Sequence, residues 1–148
     1  MLRVVKLSVI SVIVIFVIVF LISLLFPSTV RISRAINIEA EKQAVYPLIA
    51  DTTNWKHWNY LAREGISIEV LRSDSNLVET RWSYGGRSVH GSFRLEKIGE
   101  VTVVQWYFDF QLKWYPWEKF GSITFEDQFG KAMETSLTKL KNLVTNSP

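Results

Sequence analysis

Two histidines, fourteen carboxylates and no cysteine are the raw material for chemistry in this chain of 148 residues. Without cysteine there are no disulfides, thiolate zinc sites, cysteine nucleophiles or thiol-linked lipids. His57 and His90 are too few and too far apart for a histidine-rich metal site, so no metal is expected. No Gly-x-Ser-x-Gly elbow, phosphate loop or His-Glu-x-x-His helix occurs. Asp109 and Tyr107 resemble an acid pair, but residue alternation puts both on the outward row of a strand. No catalytic residue and no cofactor are therefore assigned. Arg34 interrupts an apolar row and has two readings: a clamp for a carboxylate or phosphate on a ligand, or a stem packed near the sheet's end with its head in water.

Aromatic residues carry more information. Trp82, Tyr84, Phe93, Trp106, Phe108 and Phe110 fall on the inward rows of strand-like runs, opposite Met133 and Leu137 of a helical stripe. Such a face either lines a pocket for an apolar ligand or fills the core outright. Trp55, Trp58, Trp114 and Trp117 sit at junctions between elements and read as a gate, an interface with lipid or a partner, or simple packing.

The elements that position these rings follow from periodicity. Val30, Ile32, Ile36 and Ile38 alternate with polar residues as a half-buried strand. Ala44, Val45, Leu48 and Ile49 mark one face of a short helix bent or shortened at Pro47, and Asp51 to Asn54 offer caps for a second helix. Four antiparallel strands follow, with Gly85-Gly86 and Gly99-Glu100 as hairpin turns, and the last carries Val104, Trp106, Phe108, Phe110 and Leu112 inward. A helix is expected over 117–127, a kink or join at Gly130, and then a long helix striped by Met133, Leu137, Leu140 and Val144. The aromatic face needs a cover, and that stripe alone is long enough. The fold class is α+β: a curved antiparallel sheet packed on a long carboxy-terminal helix, preceded by one membrane-crossing helix.

The head of the chain differs in kind. Residues 1–6 form a basic flank, 7–26 an uncharged apolar run, 27–145 the folded domain and 146–148 a polar tail. Twenty helical residues span about 30 Å, the thickness of a bilayer's hydrocarbon. A cleaved signal peptide is the competing reading, but it needs a shorter apolar stretch and a small-residue cleavage site, and Leu24-Leu25-Phe26-Pro27 offers none. A single-pass membrane protein, held by the lipid bilayer through residues 7–26, is expected. Arg3 and Lys6 lie close to the span without acids, which places the amino terminus in the cytoplasm and the domain outside. These two account for two of the 17 basic residues, leaving 15 against 14 acidic ones, so the folded part carries no nucleic-acid footprint.

The segment INIEAEKQAVYPLIADTTNWKHW resembles the opening of the START-like (SRPBCC) superfamily, the helix-grip group of polyketide cyclase/dehydrase and lipid-transport proteins. Ile38, Ala40, Val45, Tyr46, Asp51, Trp55 and Trp58 match that opening. Gly130, Met133, Glu134, Leu137, Leu140 and Lys141 are similar to its closing helix. The likeness spans about residues 30–144, with five strands where the family commonly has six or seven. It implies a membrane-anchored domain binding or shielding a small hydrophobic ligand or lipid. A ligand-free interaction module for a protein partner and a cyclase/dehydrase-like enzyme are the alternatives.

Overall fold

The computed structural model describes residues 1–146; Ser147 and Pro148, most of the expected polar tail, lie outside the described residues. The chain divides into two compact units, one of Met1–Val30 with Gln111–Thr124 and the other of Arg31–Phe110 with Phe125–Pro148.

In the first unit, helix α1 runs Leu2–Ser23, starting and ending earlier than the expected 7–26. The apolar run marks a change of composition, whereas a helix ends where its hydrogen bonds do. Arg3 and Lys6 are good helix formers and extend it backwards. At the far end the Ser23 hydroxyl donates to the Phe20 carbonyl at 2.7 Å. Helix α3, Pro116–Gly121, opens with Pro116, where a missing N–H costs nothing, and tightens into a 3-10 turn over Ser122–Thr124.

The second unit holds the sheet and its cover. Strands β1 (Thr29–Ile38), β2 (Ser67–Asp74), β3 (Leu77–Tyr84), β4 (Arg87–Ile98) and β5 (Val101–Gln111) form one antiparallel sheet in the order β1-β5-β4-β3-β2. The β3–β4 connection is Gly85-Gly86, both at positive φ (56° and 78°), as a two-residue hairpin loop demands. In β5 the residues from Thr102 to Phe110 alternate strictly between buried and half-buried. β2 is an edge strand with little buried surface, and its pairing with β3 slips between Val70 and Arg72, leaving Leu71 as a bulge.

Helix α2, Lys42–Ala50, buries Val45 and Ile49 and keeps Pro47 inside; Ala44, expected on the apolar face, is exposed. Asp51 then caps the 3-10 helix Thr52–His57, its carboxylate accepting from the Thr53 amide (3.0 Å) and hydroxyl (2.6 Å) and the Asn54 amide (2.9 Å). The helix expected over 117–127 is broken: α3 and the 3-10 turn are followed by a π turn, Glu126–Gly130, leading directly into helix α4, Lys131–Thr145. Gly130 is the expected join: it ends the π turn and caps the start of α4, with a helical backbone (φ −56°, ψ −50°). Met133, Leu137 and Leu140 of α4 are buried, as the stripe predicts.

Candidate functional site

Phe93 on β4 and Trp106 on β5 are cross-strand partners. Their rings stack at 4.8 Å between centroids and 20° between planes. Trp58 stands edge-on to both, 6.0 Å from Phe93 and 6.5 Å from Trp106. Trp55 meets Trp58, Trp82 and Phe93 within 5.7 Å. Trp82 continues the cluster to Phe108 at 5.2 Å. Phe108 and Phe110 then reach Phe129 of the π turn, at 6.3 and 4.9 Å, and Phe110 also meets Phe125 at 4.8 Å. Offset and edge-on ring pairs of this kind contribute about 0.5–1.5 kcal/mol each beyond the area they bury.

The cluster has room for its indoles because of Gly91. A Cβ there would lie 2.7 Å from the Phe108 ring and 2.8 Å from Trp82 Nε1. Trp82 Nε1 donates to the Thr80 hydroxyl at 2.9 Å, and that hydroxyl donates to the Gly91 carbonyl at 2.8 Å. Trp55 Nε1 donates to the Ile49 carbonyl at 3.0 Å. Among the described residues three interior donors have no acceptor: Trp58 Nε1, Asn59 Nδ2 and Trp106 Nε1. Asn59 spends its side-chain oxygen on the Leu61 amide, 3.0 Å away, which leaves only its N–H2 to offer. An unpaired buried donor costs about 1–3 kcal/mol, and two of these belong to neighbouring rings, Trp58 and Trp106, with Asn59 next to Trp58 in the chain.

The sequence-predicted residues separate into groups. Trp82, Phe93, Trp106, Phe108, Phe110, Met133 and Leu137 are buried, each at 7% exposure or less. Tyr84 is not among them: 69% exposed, it ends β3 at the glycine turn. Trp55 and Trp58 are interior residues at 0% and 1% exposure, so they are no surface gate. Trp114 and Trp117, at 64% and 66%, are surface residues of the other unit. Sequence reasoning missed Phe125, Phe129, Asn59 and Thr80. The i, i+4 spacing of the two phenylalanines was the available signal; nothing in the sequence marks Asn59 or Thr80.

Arg34 answers neither of its expected readings. Its guanidinium binds Glu134 of α4 at 2.7 Å and Glu126 of the π turn, and it packs where Gly130 has no side chain. The hydrogen bond that Arg34 donates to Glu126, then the one it donates to Glu134, holds its guanidinium above its ordinary pKa against the opposing effect of burial. On the outer face Arg31 forks the Asp109 carboxylate at 2.6 and 2.7 Å and lies over the Tyr107 ring at 4.3 Å. Asp109 and Tyr107 are therefore tied to Arg31. His57 and His90 are exposed. Among the described residues no group of three histidines or carboxylates is arranged to hold a metal ion.

The solved structures place this architecture. CalU16 from Micromonospora echinospora matches with a TM-score of 0.60 at 19% identity, over 80% of this chain and 76% of that one. DynU16, a protein in the dynemicin biosynthetic locus, matches at 0.58 and 16% identity; the alignment covers 81% of this chain and 48% of DynU16, about half its length. The Aha1 dimer structure from Colwellia psychrerythraea matches at 0.59 and 16% identity, over 78% and 96% of the two chains. The chain has the helix-grip fold. Its sequence matches no protein-family model and has no significant match to a curated protein, so the likeness extends to the fold alone.

Proposed function

We propose that this helix-grip domain binds a small, largely apolar molecule that carries hydrogen-bond acceptors, and that α1 holds it to a membrane with the domain outside the cytoplasm. The observation that carries the reading is the pair of unpaired indole donors, Trp58 Nε1 and Trp106 Nε1, inside one ring cluster, with a third unpaired donor, Asn59 Nδ2, adjacent to Trp58 in the chain. Rings favour a flat or chain-like apolar body, and three donors without an acceptor favour carbonyl or ether oxygens on it. A bare hydrocarbon would leave those donors unpaired. The fold shared with DynU16, itself from a biosynthetic locus, is in keeping with a domain that handles a small organic molecule.

Binding is favoured over cyclase-like catalysis on one ground. The buried polar residues of the second unit, among the described residues, are Asn59, Thr80, Ser92, Thr102 and Ser136. Amides and hydroxyls of that kind orient a ligand, whereas proton transfer needs a group that titrates near neutrality.

The test is solvent extraction and mass spectrometry of the full-length protein, purified beside a Trp58→Phe/Trp106→Phe variant. The expected result is an oxygen-bearing molecule enriched in the wild type and depleted several-fold in the variant. A membrane-lipid ester or a free metabolite would each supply the carbonyl, and its mass separates them. Extracts identical to those of an unrelated single-span protein from the same membranes would overturn the reading.

A further inference from the structure

Helix α1 leaves its side chains exposed from Leu2 to Ile18, and burial begins only at Val19, Phe20 and Ser23. At about 1.5 Å per residue, Arg3 and Phe20 are separated by about 26 Å along the axis, a few ångströms short of the roughly 30 Å hydrocarbon layer. The Trp114 ring meets Phe20 edge-on, 6.1 Å away. Tyr115 adjoins Trp114 at 4.8 Å and stacks on Trp117 at 4.9 Å with planes 8° apart. The Lys113 ammonium lies 5.8 Å from the Tyr115 ring. Leu24, Leu25 and Ile123, at 58%, 84% and 62% exposure, add apolar surface to the same unit. Tryptophan and tyrosine beside lysine, one bilayer thickness from a basic helix start, have the composition of an interfacial belt.

The belt is fastened to the helix. Lys119 is 4% exposed, and its ammonium donates to the Phe26 carbonyl (3.1 Å), the Pro27 carbonyl (2.9 Å) and the Ser28 hydroxyl (3.2 Å). All three protons are spent on the segment leaving α1, where a cation also complements the helix dipole. Phe120 packs edge-on against Phe26 at 5.2 Å.

We propose that Met1–Val30 and Gln111–Thr124 form a membrane foot in which α1 crosses the bilayer and the Lys113–Trp117 segment with α3 lies in the interfacial layer at its carboxy-terminal end. The proposal rests on the anchor reading of α1 and adds a second, discontinuous element to it. The bilayer interface is the occupant, because the span length sets the depth of Trp114.

Fluorescence separates the outcomes, since Trp55, Trp58, Trp82 and Trp106 are all at 6% exposure or less and only Trp114 and Trp117 are open. The full-length protein is placed in vesicles of phosphatidylcholine and phosphatidylglycerol brominated near the headgroup end or near the methyl end of the acyl chains. Bromine near the headgroup should quench about twofold more than bromine at the chain end, and Trp114→Phe/Trp117→Phe should abolish the difference. If the protein resists carbonate extraction but aqueous iodide, not bromolipid, quenches those two indoles, the foot is wrong and the anchor stands. If neither quencher reaches them and cross-linking gives a dimer, a second copy occupies the surface. Release of the protein by carbonate would remove both the anchor and the foot.

Discussion

Gly91 and Phe108 face each other across the β4–β5 ladder, and a single methyl group on Gly91 would come within 2.7 Å of the Phe108 ring. The opposite neighbour, Trp82 Nε1, is equally close at 2.8 Å, so neither ring can yield without disturbing the other. Gly91→Ala should therefore cost about 1–3 kcal/mol, the usual penalty for overfilling a packed interior. Thermal denaturation should show a melting temperature lowered by several degrees; an unchanged value would mean the rings are loosely held.

Gly130 presents the opposite case, because its close neighbour is the mobile tip of Arg34. Alanine at a helical position gains about 1 kcal/mol over glycine. Here that gain is offset by displacing Arg34 from Glu126 and Glu134, a partly exposed ion-pair network contributing about 1 kcal/mol. Gly130→Ala should be near neutral in the wild type and stabilising by about 1 kcal/mol in an Arg34→Met background. Additive behaviour in that double-mutant cycle would show that the two residues do not compete for space.

Asp51 predicts an acid-sensitive step. The Thr53 hydroxyl, then the Thr53 amide, hold its carboxyl below the ordinary 3.8. A depressed carboxyl contributes stability that is fully present above its unfolded value and is lost as pH falls through the folded value. Wild type and Asp51→Asn, which keeps an acceptor but cannot titrate, should differ in melting temperature at pH 6 by an amount that shrinks on acidification below about 3.8. A constant difference across that window would rule out the titration.

Lys119→Met keeps the stem of the side chain and removes the three donated hydrogen bonds. The Phe26 and Pro27 carbonyls would be left without their partner, at about 1–3 kcal/mol for the junction. Limited proteolysis should cut between Phe26 and Val30 faster in the variant than in the wild type. Equal rates would show that the junction is held by the Phe26–Phe120 contact alone.

The strands were legible from their two-residue alternation, cleanest in β3 and in β5, where Trp106, Phe108 and Phe110 point inward. The stripe of α4 was legible for the same reason at a helical period. Other features are set by distant partners. Tyr84 continues the inward row of β3 by parity, but parity does not say that the last residue of the strand is exposed. Trp55 lies in a short 3-10 element and Trp58 follows at its end, and their spacing does not distinguish inward from outward rings. Glycine at 130 reads as a kink or join, which it is, but nothing in the sequence shows that Arg34, ninety-six positions earlier, occupies the space above it. The role of Lys119 is not legible, because no pattern announces a lysine that finds three oxygen acceptors ninety residues away.

The slip in β2 at Leu71 has a consequence for how these molecules tolerate crowding. A flat outermost strand is a template on which a sister chain adds its own backbone, and fibrils grow from such contacts. Here the extra residue throws the amide row out of step midway along the margin. Two copies meeting there find half a ladder, too short to zip together.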